Sequence, residues 1–393
     1  MIGHSPSDHS QNLSKAQAFA AFELDPGYLH LNHGSFGAVP RSVRLVQDRI
    51  RTEIECNPTK FYGEDLPPAM RRMAREAANC LGGRGDDWVF CENATAAVSA
   101  VLYGLDLQPG DEILTTSHAY GAVLKAMSLV AARRGAKLRL ASLPAILESD
   151  EQVVQGVAQA FGPRVRLLIV DHITSATATI FPVRRITDVA RAAGIPVLVD
   201  GAHAPGQIAL DVPAVGADWY TGNAHKWLFA PRGCGLLWTA PERQAATRPA
   251  VLSHGTDHGY AEAFDWIGTR DPSPWLSFPT ACEAHDEFGG RKLMARNREL
   301  AALAARELSA ALDARVTAPE SMRASMAALV LEDCPATEQS ALALRFALSR
   351  EHRVMVPVSA FAGRLTFRIS AQIYNSPEDY RRFADICRPL FRG

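Results

Sequence analysis

Through the middle of the chain, short apolar runs rich in β-branched residues alternate with longer stretches whose apolar positions recur at helical spacing. The runs WVFC (88–91), EILTT (112–116), KLRLA (137–141), VRLLIV (165–170), PVLVD (196–200), ADWYT (217–221) and CGLLWT (234–239) predict seven strands. Between them, 94–103, 122–134, 150–161 and 183–193 predict helices, the last followed by Gly194, the residue type favoured just past a helix end. Strands buried on both faces read as nearly continuous apolar runs, and VRLLIV does so. Alternation of this kind predicts a mostly parallel sheet covered by helices.

The texture changes after about Pro279. An Ala/Leu/Arg/Glu stretch over 280–313 predicts one long helix. MAALVLE (326–332), RVMVPV (353–358) and RLTFRIS (364–370) then predict strands, with helices over 337–350 and from Pro377 onward. The expected architecture is α/β. A large domain (46–279) carries the seven-stranded sheet, a smaller α+β domain (280–393) follows, and an N-terminal segment (1–45) packs back near the small domain.

Composition narrows the partners. Lys and Arg number 41 against 42 Asp and Glu, so the chain lacks the basic surface that a nucleic acid or an anionic membrane requires. No run approaches the roughly 18 apolar residues of a membrane span, and residues 1–19 lack the basic-then-apolar order of a leader. Seven cysteines are scattered without a CxxC pair, which fits a reducing compartment and argues against a zinc ribbon. Cytoplasm is expected. His254 and His258 are four apart but sit in the Gly-rich SHGTDHGY, so a loop is expected there and no metal. No GxGxxG follows a strand, which removes a nicotinamide dehydrogenase.

Ligands of open α/β sheets gather beyond the carboxyl ends of the strands. Those positions read Asn93-Ala94-Thr95, Ser117-His118-Ala119-Tyr120, Asp171-His172-Ile173-Thr174-Ser175, Asp200-Gly201-Ala202-His203 and Asn223-Ala224-His225-Lys226. The turn at Asn93 offers backbone N–H groups at a helix N-terminus, which suit a phosphate, and Asn223 and His225 add side-chain donors. Tyr120 or His118 offers a flat face for a ring, with Tyr120 favoured. Asp200 is a carboxylate that needs a cation when buried, and a pyridinium N–H is such a cation. Lys226 is an amine that forms imines once desolvation depresses its pKa. A phosphate, a ring nitrogen and an aldehyde together describe pyridoxal 5′-phosphate. Taken singly, each residue has a plainer reading: a surface lysine, a helix-capping aspartate, a packing histidine. Their order along the chain carries the inference.

The order NAT…SHAY…DHITSATA…DGAHAPG…GNAHKW…GTRD…FRISAQIYN resembles the class-V aminotransferase family of fold-type-I pyridoxal phosphate enzymes, over about residues 28–380. LNHGSFGAVP (31–40), HITSATATIFPV (172–183) and YTGNAHKW (220–227) are most similar to its isopenicillin N epimerase-like group. The resemblance implies Lys226 as the Schiff-base lysine and Asp200 as the partner of the ring nitrogen. It implies His203 and Ser175 near the phenolic oxygen, and Ala94, Thr95, Asn223 and His225 around the phosphate, with Asn93 and Asp171 in the same cofactor shell. Thr269 resembles a threonine given to a neighbouring subunit's phosphate site, so a homodimer with active sites at the interface is implied. Arg368 matches the arginine that grips a substrate carboxylate, with Asn32 and His33 beside the substrate.

The activity implied is epimerisation, racemisation or transamination at the α-carbon of an amino acid or small peptide. Elimination at Cβ, as in a C–S lyase, is the alternative. Cysteine desulfurase is disfavoured because 357–365 carries no cysteine, and a non-catalytic regulator is disfavoured by the intact lysine. Inversion needs a proton donor on the face opposite Lys226. His33 is the first candidate, with Tyr120, His118 and Tyr62 of the partner subunit as others.

Overall fold

The computed structural model describes residues 14–391; the stretch read for a leader falls largely outside them. In chain order the strands are β1 (Leu29–His30), β2 (Trp88–Cys91), β3 (Glu112–Thr116), β4 (Lys137–Ala141), β5 (Val165–Asp171), β6 (Val197–Gly201) and β7 (Trp219–Asn223). They continue with β8 (Gly235–Thr239), β9 (Arg315–Val316), β10 (Met326–Pro335), β11 (Val354–Met355), β12 (Val358–Phe361) and β13 (Arg364–Ser370).

Seven of them form the large sheet, in the order β2-β8-β7-β6-β5-β3-β4. It is mostly parallel, as the alternation of runs predicts; β8 alone runs against both of its neighbours, β7 and β2. Side chains alternate along β5 between two cores. Leu168 and Val170 join the larger core on one face, and Leu167 and Ile169 join the core on the other. Each such fully buried side chain contributes about 1.5–3 kcal/mol. That two-sided burial is why VRLLIV carries so few polar positions. The chain leaves β4 at one edge and returns to β5 on the far side of β3, so strand order reverses between β3 and β5. Crevices at such reversals are where open sheets bind ligands.

A four-stranded antiparallel sheet, β12-β13-β10-β9, builds the second unit around its own core. The N-terminal segment reaches it through β1, which pairs in parallel with β11. Two sequence expectations are corrected here. The single helix over 280–313 is two, Phe278–Glu287 and Arg291–Leu312, because Gly289 and Gly290 both take positive φ and interrupt the helical backbone. The run RVMVPV is split into β11 and β12 at Pro357, which has no N–H to give a ladder. His254 and His258 lie in turns ahead of the helix Tyr260–Asp265.

Candidate active site

A cavity of about 420 Å³ opens at the carboxyl ends of β5, β6 and β7. Eleven of the residues singled out from the sequence line it: Asn93, Ala94, Thr95, Tyr120, Asp171, Ser175, Asp200, His203, Asn223, His225 and Lys226. They come from strand ends and from the segments just after them, far apart in the chain and brought together because the strands belong to one sheet.

At one end the helix Ala94–Tyr103 begins. Asn93 caps it, its side chain accepting from the Ala96 amide at 3.0 Å, and Asn223 Oδ1 accepts from the Ala94 amide at 2.8 Å. Asn223 therefore keeps its Nδ2 donors available. The Thr95 amide, in the first turn, has no hydrogen-bond acceptor among the described residues. Gly235 is required nearby, since a Cβ there would come within 2.5 Å of the Asn93 backbone. His225 Nδ1 lies 3.1 Å from the Cys234 carbonyl, which only accepts, so the proton is on Nδ1 and Nε2 carries the lone pair. Burial, with Lys226 beside it, lowers His225 to about 4.

The centre of the cavity holds the titratable groups. Lys226 Nζ sits 3.2 Å from His203 Nε2. Burial drives the lysine down to about 7, with the Arg368 charge adding to the effect and Asp200 and Asp171 opposing it. A neutral, nucleophilic amine is therefore accessible near neutral pH. His203 is pushed well below the usual histidine range by burial and by the Lys226 and Arg368 charges, and its Nδ1 is buried without a partner. Asp200 accepts from the Ala202 amide at 3.0 Å, and burial raises it.

Arg368, on β13, stands behind Ser35 and Ser175. Its Nη1 donates to the Ser175 carbonyl at 2.8 Å and to Ser175 Oγ at 3.2 Å; Nη2 donates to Ser35 Oγ at 2.9 Å and to Asn32 Oδ1 at 3.3 Å. Nε has no partner, and among the described residues no carboxylate pairs with this guanidinium. Burial lowers it only to about 10, so it remains a cation.

Two expected positions, His118 and His33, are corrected. His118 does not line the cavity. Its ring is turned into the core between Phe181 and Phe361, with Nδ1 2.8 Å from Thr177 Oγ1 and Nε2 2.9 Å from the Pro144 carbonyl, which leaves Tyr120 as the aromatic face. His33 is likewise committed. Its Nε2 donates to the Lys226 carbonyl at 2.9 Å and its Nδ1 accepts from the Tyr374 hydroxyl at 2.9 Å. Buried and held at about 4, it steadies the backbone of the lysine and is not placed to protonate a substrate. The two residues expected to serve a neighbouring subunit lie outside their own chain's cavity: Thr269 is exposed, and Tyr62 gives its hydroxyl to the Arg270 carbonyl.

Ser35, Phe36 and Ala202 also line the cavity. Phe36 went unnoticed in the sequence, where one aromatic in a Gly-rich segment carries no periodic signal. It also lines a second cavity of about 470 Å³, which lies between the N-terminal segment and the second unit. Gly37 allows that close approach; at its φ of +69° a Cβ would meet the His225 carbonyl oxygen at 2.0 Å.

Comparison with known proteins agrees with this geometry. Residues 60–383 match the aminotransferase class-V family. The chain is 32% identical to an isopenicillin N epimerase of Amycolatopsis lactamdurans, covering 95% of this chain and 98% of the relative. It is 31% identical to a putative L-cysteine desulfhydrase of Oryza sativa subsp. japonica, covering 96% and 86%. Among solved structures, the cystine C–S lyase C-DES, in complex with its reaction product cysteine persulfide, superposes with a TM-score of 0.79 at 20% identity, over 92% of this chain and 98% of that one.

Proposed function

The chain belongs to the class-V aminotransferase family, and from that premise we propose that it is an enzyme acting at the α-carbon of an amino-acid or small-peptide substrate, with pyridoxal phosphate bound at Lys226. One observation carries the reading: a buried amine lowered to about 7 and an aspartate at a strand end line one cavity, and a guanidinium with no acidic partner among the described residues stands directly behind its wall at Ser35 and Ser175. The residues suit the cofactor. The free Thr95 amide, Asn223 Nδ2 and a His225 ring that a phosphate would help protonate form an anion site, while Asp200 offers a carboxylate with no guanidinium or ammonium bonded to it. When bound, pyridoxal phosphate supplies a conjugated ring that draws electrons away from the substrate α-carbon.

The remaining steps belong to the chain. Arg368 takes the α-carboxylate, exchanging neutral oxygen acceptors for a charge-assisted pair. Lys226 removes the α-proton on its own face, and His33 holds its backbone in place. Tyr120, half-exposed over the cavity, is the proton donor for the opposite face. The substrate side chain has room to run past Phe36 toward the second cavity. Epimerisation or racemisation is the leading reading. The C–S lyase is the second, favoured by the 31% identity to a desulfhydrase and by Tyr120, whose hydroxyl suits protonation of a leaving group.

Incubating a panel of amino acids and dipeptides in deuterated water separates the two. An epimerase yields inverted product with solvent deuterium at Cα. Release of pyruvate, ammonia or a sulfur species with no inverted amino acid would establish the lyase instead. Thr269 is exposed and lies outside its own chain's cavity, which supports a homodimer in which it serves the partner's; the mass in solution tests the dimer directly. Seven free cysteines support a reducing compartment such as the cytoplasm, and no described helix is long and apolar enough to cross a membrane.

A further inference from the structure

The large sheet places a second acid beside Asp200. In the β5–β6 ladder Asp171 is the register partner of Asp200, and across the β6–β7 ladder Asp200 is the partner of Thr221. Neighbouring strands lie about 4.8 Å apart and residues in register share a face. The parity of the strands agrees: Leu167 and Ile169 on β5, Leu198 on β6 and Trp219 on β7 all join the same core. Thr221 cannot serve the acids, because its hydroxyl donates to the Leu236 carbonyl at 2.9 Å. Both carboxyl groups are buried and both line the cavity. The titratable groups around them are Lys226 and His203; His172 and Tyr220, bonded to each other at 2.8 Å, lie toward the opposite face.

We propose that Asp171 is a positioning residue that keeps its proton and donates it to the Asp200 carboxylate, so that the two acids together carry one negative charge. Two buried carboxylates on register-partner residues repel when both ionise, and sharing a proton is how such pairs resolve the repulsion. The lone proton belongs on Asp171: both acids have a backbone amide and Lys226 to steady a charge, but Asp171 alone is also raised by its neighbour's charge and stands well above the usual carboxylate range. The arrangement has a use. Burial alone pushes Asp200 toward protonation, where it would be a poor partner for a ring cation; a hydrogen bond donated by Asp171 favours its charged form.

The role at the ring nitrogen rests on the function proposed above, whereas the shared proton does not. Infrared spectra of holoenzyme carrying ¹³C-labelled aspartate test the proton directly. A protonated-carboxyl stretch at neutral pH, shifted by the label and by deuterated water, is expected in the wild type and lost in Asp171→Asn. This readout needs no variant to establish that a protonated aspartate exists, and it reports even if the protein binds no pyridoxal phosphate. The role is tested by cofactor affinity. Asp171→Asn, a neutral donor, should hold pyridoxal phosphate within about threefold of wild type, while Asp171→Leu should weaken it about tenfold, as expected for losing a hydrogen bond to a charged group. Absence of the band, or its persistence in Asp171→Asn, would overturn the shared proton. Equal cofactor loss in the Asn and Leu variants would show that the charge of Asp171 matters and not its donated proton. A cofactor-free protein that retains the band would remove the ring-nitrogen role and the proposed function together.

Discussion

Two buried basic groups serve this region from different units, Lys226 lining the cavity and Arg368 set behind Ser35 and Ser175, and the molecule treats them in opposite ways. Lys226, at the end of the large sheet, has one polar contact for its amine, His203 Nε2, and burial brings it to about 7. Arg368, on the small sheet, is caged by four oxygen contacts from Ser35, Ser175 and Asn32 and falls only to about 10. The difference begins in the functional groups, since a guanidinium is weakly hydrated and multiply donating while an ammonium is a compact charge that burial readily neutralises. It is sharpened by what each is given. A cation that discharges near neutral pH can move protons; a cation that stays charged can only bind. On the proposed function, the two sheets divide chemistry from recognition.

The largest expected effect breaks the first half of that comparison. Lys226→Ala removes the one lysine amine that lines the cavity among the described residues, so turnover should fall about a thousandfold or more, as for loss of a covalent and proton-transferring group. The yellow linkage that borohydride makes permanent should vanish, although Asn223, Thr95 and His225 remain to hold the phosphate. Recovery of the label on another lysine would show that the discharged cation has been misidentified.

Arg368→Lys sharpens the second half. The charge survives but the planar fork does not, and a lysine amine cannot reach Ser35, Ser175 and a carboxylate together. Substrate affinity should drop about 10- to 100-fold, the worth of one or two charge-assisted hydrogen bonds, with cofactor affinity unchanged. Titrating substrate and cofactor separately tells the roles apart. Equal loss of both would make Arg368 a structural residue that braces Ser175 and Ser35.

How far the sequence reveals this division differs between the two sheets. On the large sheet the strands are consecutive and their ends carry the chemistry, so reading DGAHAPG and GNAHKW after predicted strands locates Asp200 and Lys226 in order. Arg368 offers no such signal. It lies inside an apolar strand, where burial and an ion pair would read the same, and only the resemblance of FRISAQIYN singles it out. Side-chain direction is the other thing the sequence withholds. His118 and Tyr120 leave β3 through a turn, so their spacing does not fix which faces the cavity; the structure buries the first and presents the second. The break at Gly289–Gly290 is legible in hindsight from two adjacent glycines, whereas the 280–313 window is dominated by helix formers around them. Asp171 shows the opposite case: its place at a strand end was visible, but its pairing with Asp200 depends on the β5–β6 register, which no local pattern encodes.

The smallest expected effect concerns His33, which belongs to neither half yet supports the lysine. Its ring donates to the Lys226 carbonyl and accepts from Tyr374, and it does not line the cavity, so His33→Asn should lower turnover only a few-fold, within the worth of one neutral hydrogen bond. Inversion should persist, because the ring is not the second-face donor; a variant that exchanged deuterium at Cα but never inverted would reinstate it. Stability carries the clearer signature. In the folded chain His33 is held at about 4, below its ordinary 6.5, by burial. Between those values the unfolded chain binds a proton that the folded one refuses, so the stability linked to this ring is fully present above about 6.5 and is lost as pH falls toward 4. The shift amounts to about 3 to 4 kcal/mol at most, taking 1.36 kcal/mol per unit. His172 and His225 are also held at about 4 and titrate in the same window, so the wild-type slope alone does not isolate His33. The difference between wild type and His33→Asn does: denaturation at pH 7 should show the variant weaker, through the unsatisfied Lys226 carbonyl and Tyr374 hydroxyl, and the gap should narrow on acidification toward pH 4. A gap that stays constant with pH would mean that His33 titrates normally and that its two hydrogen bonds do not hold the lysine in place.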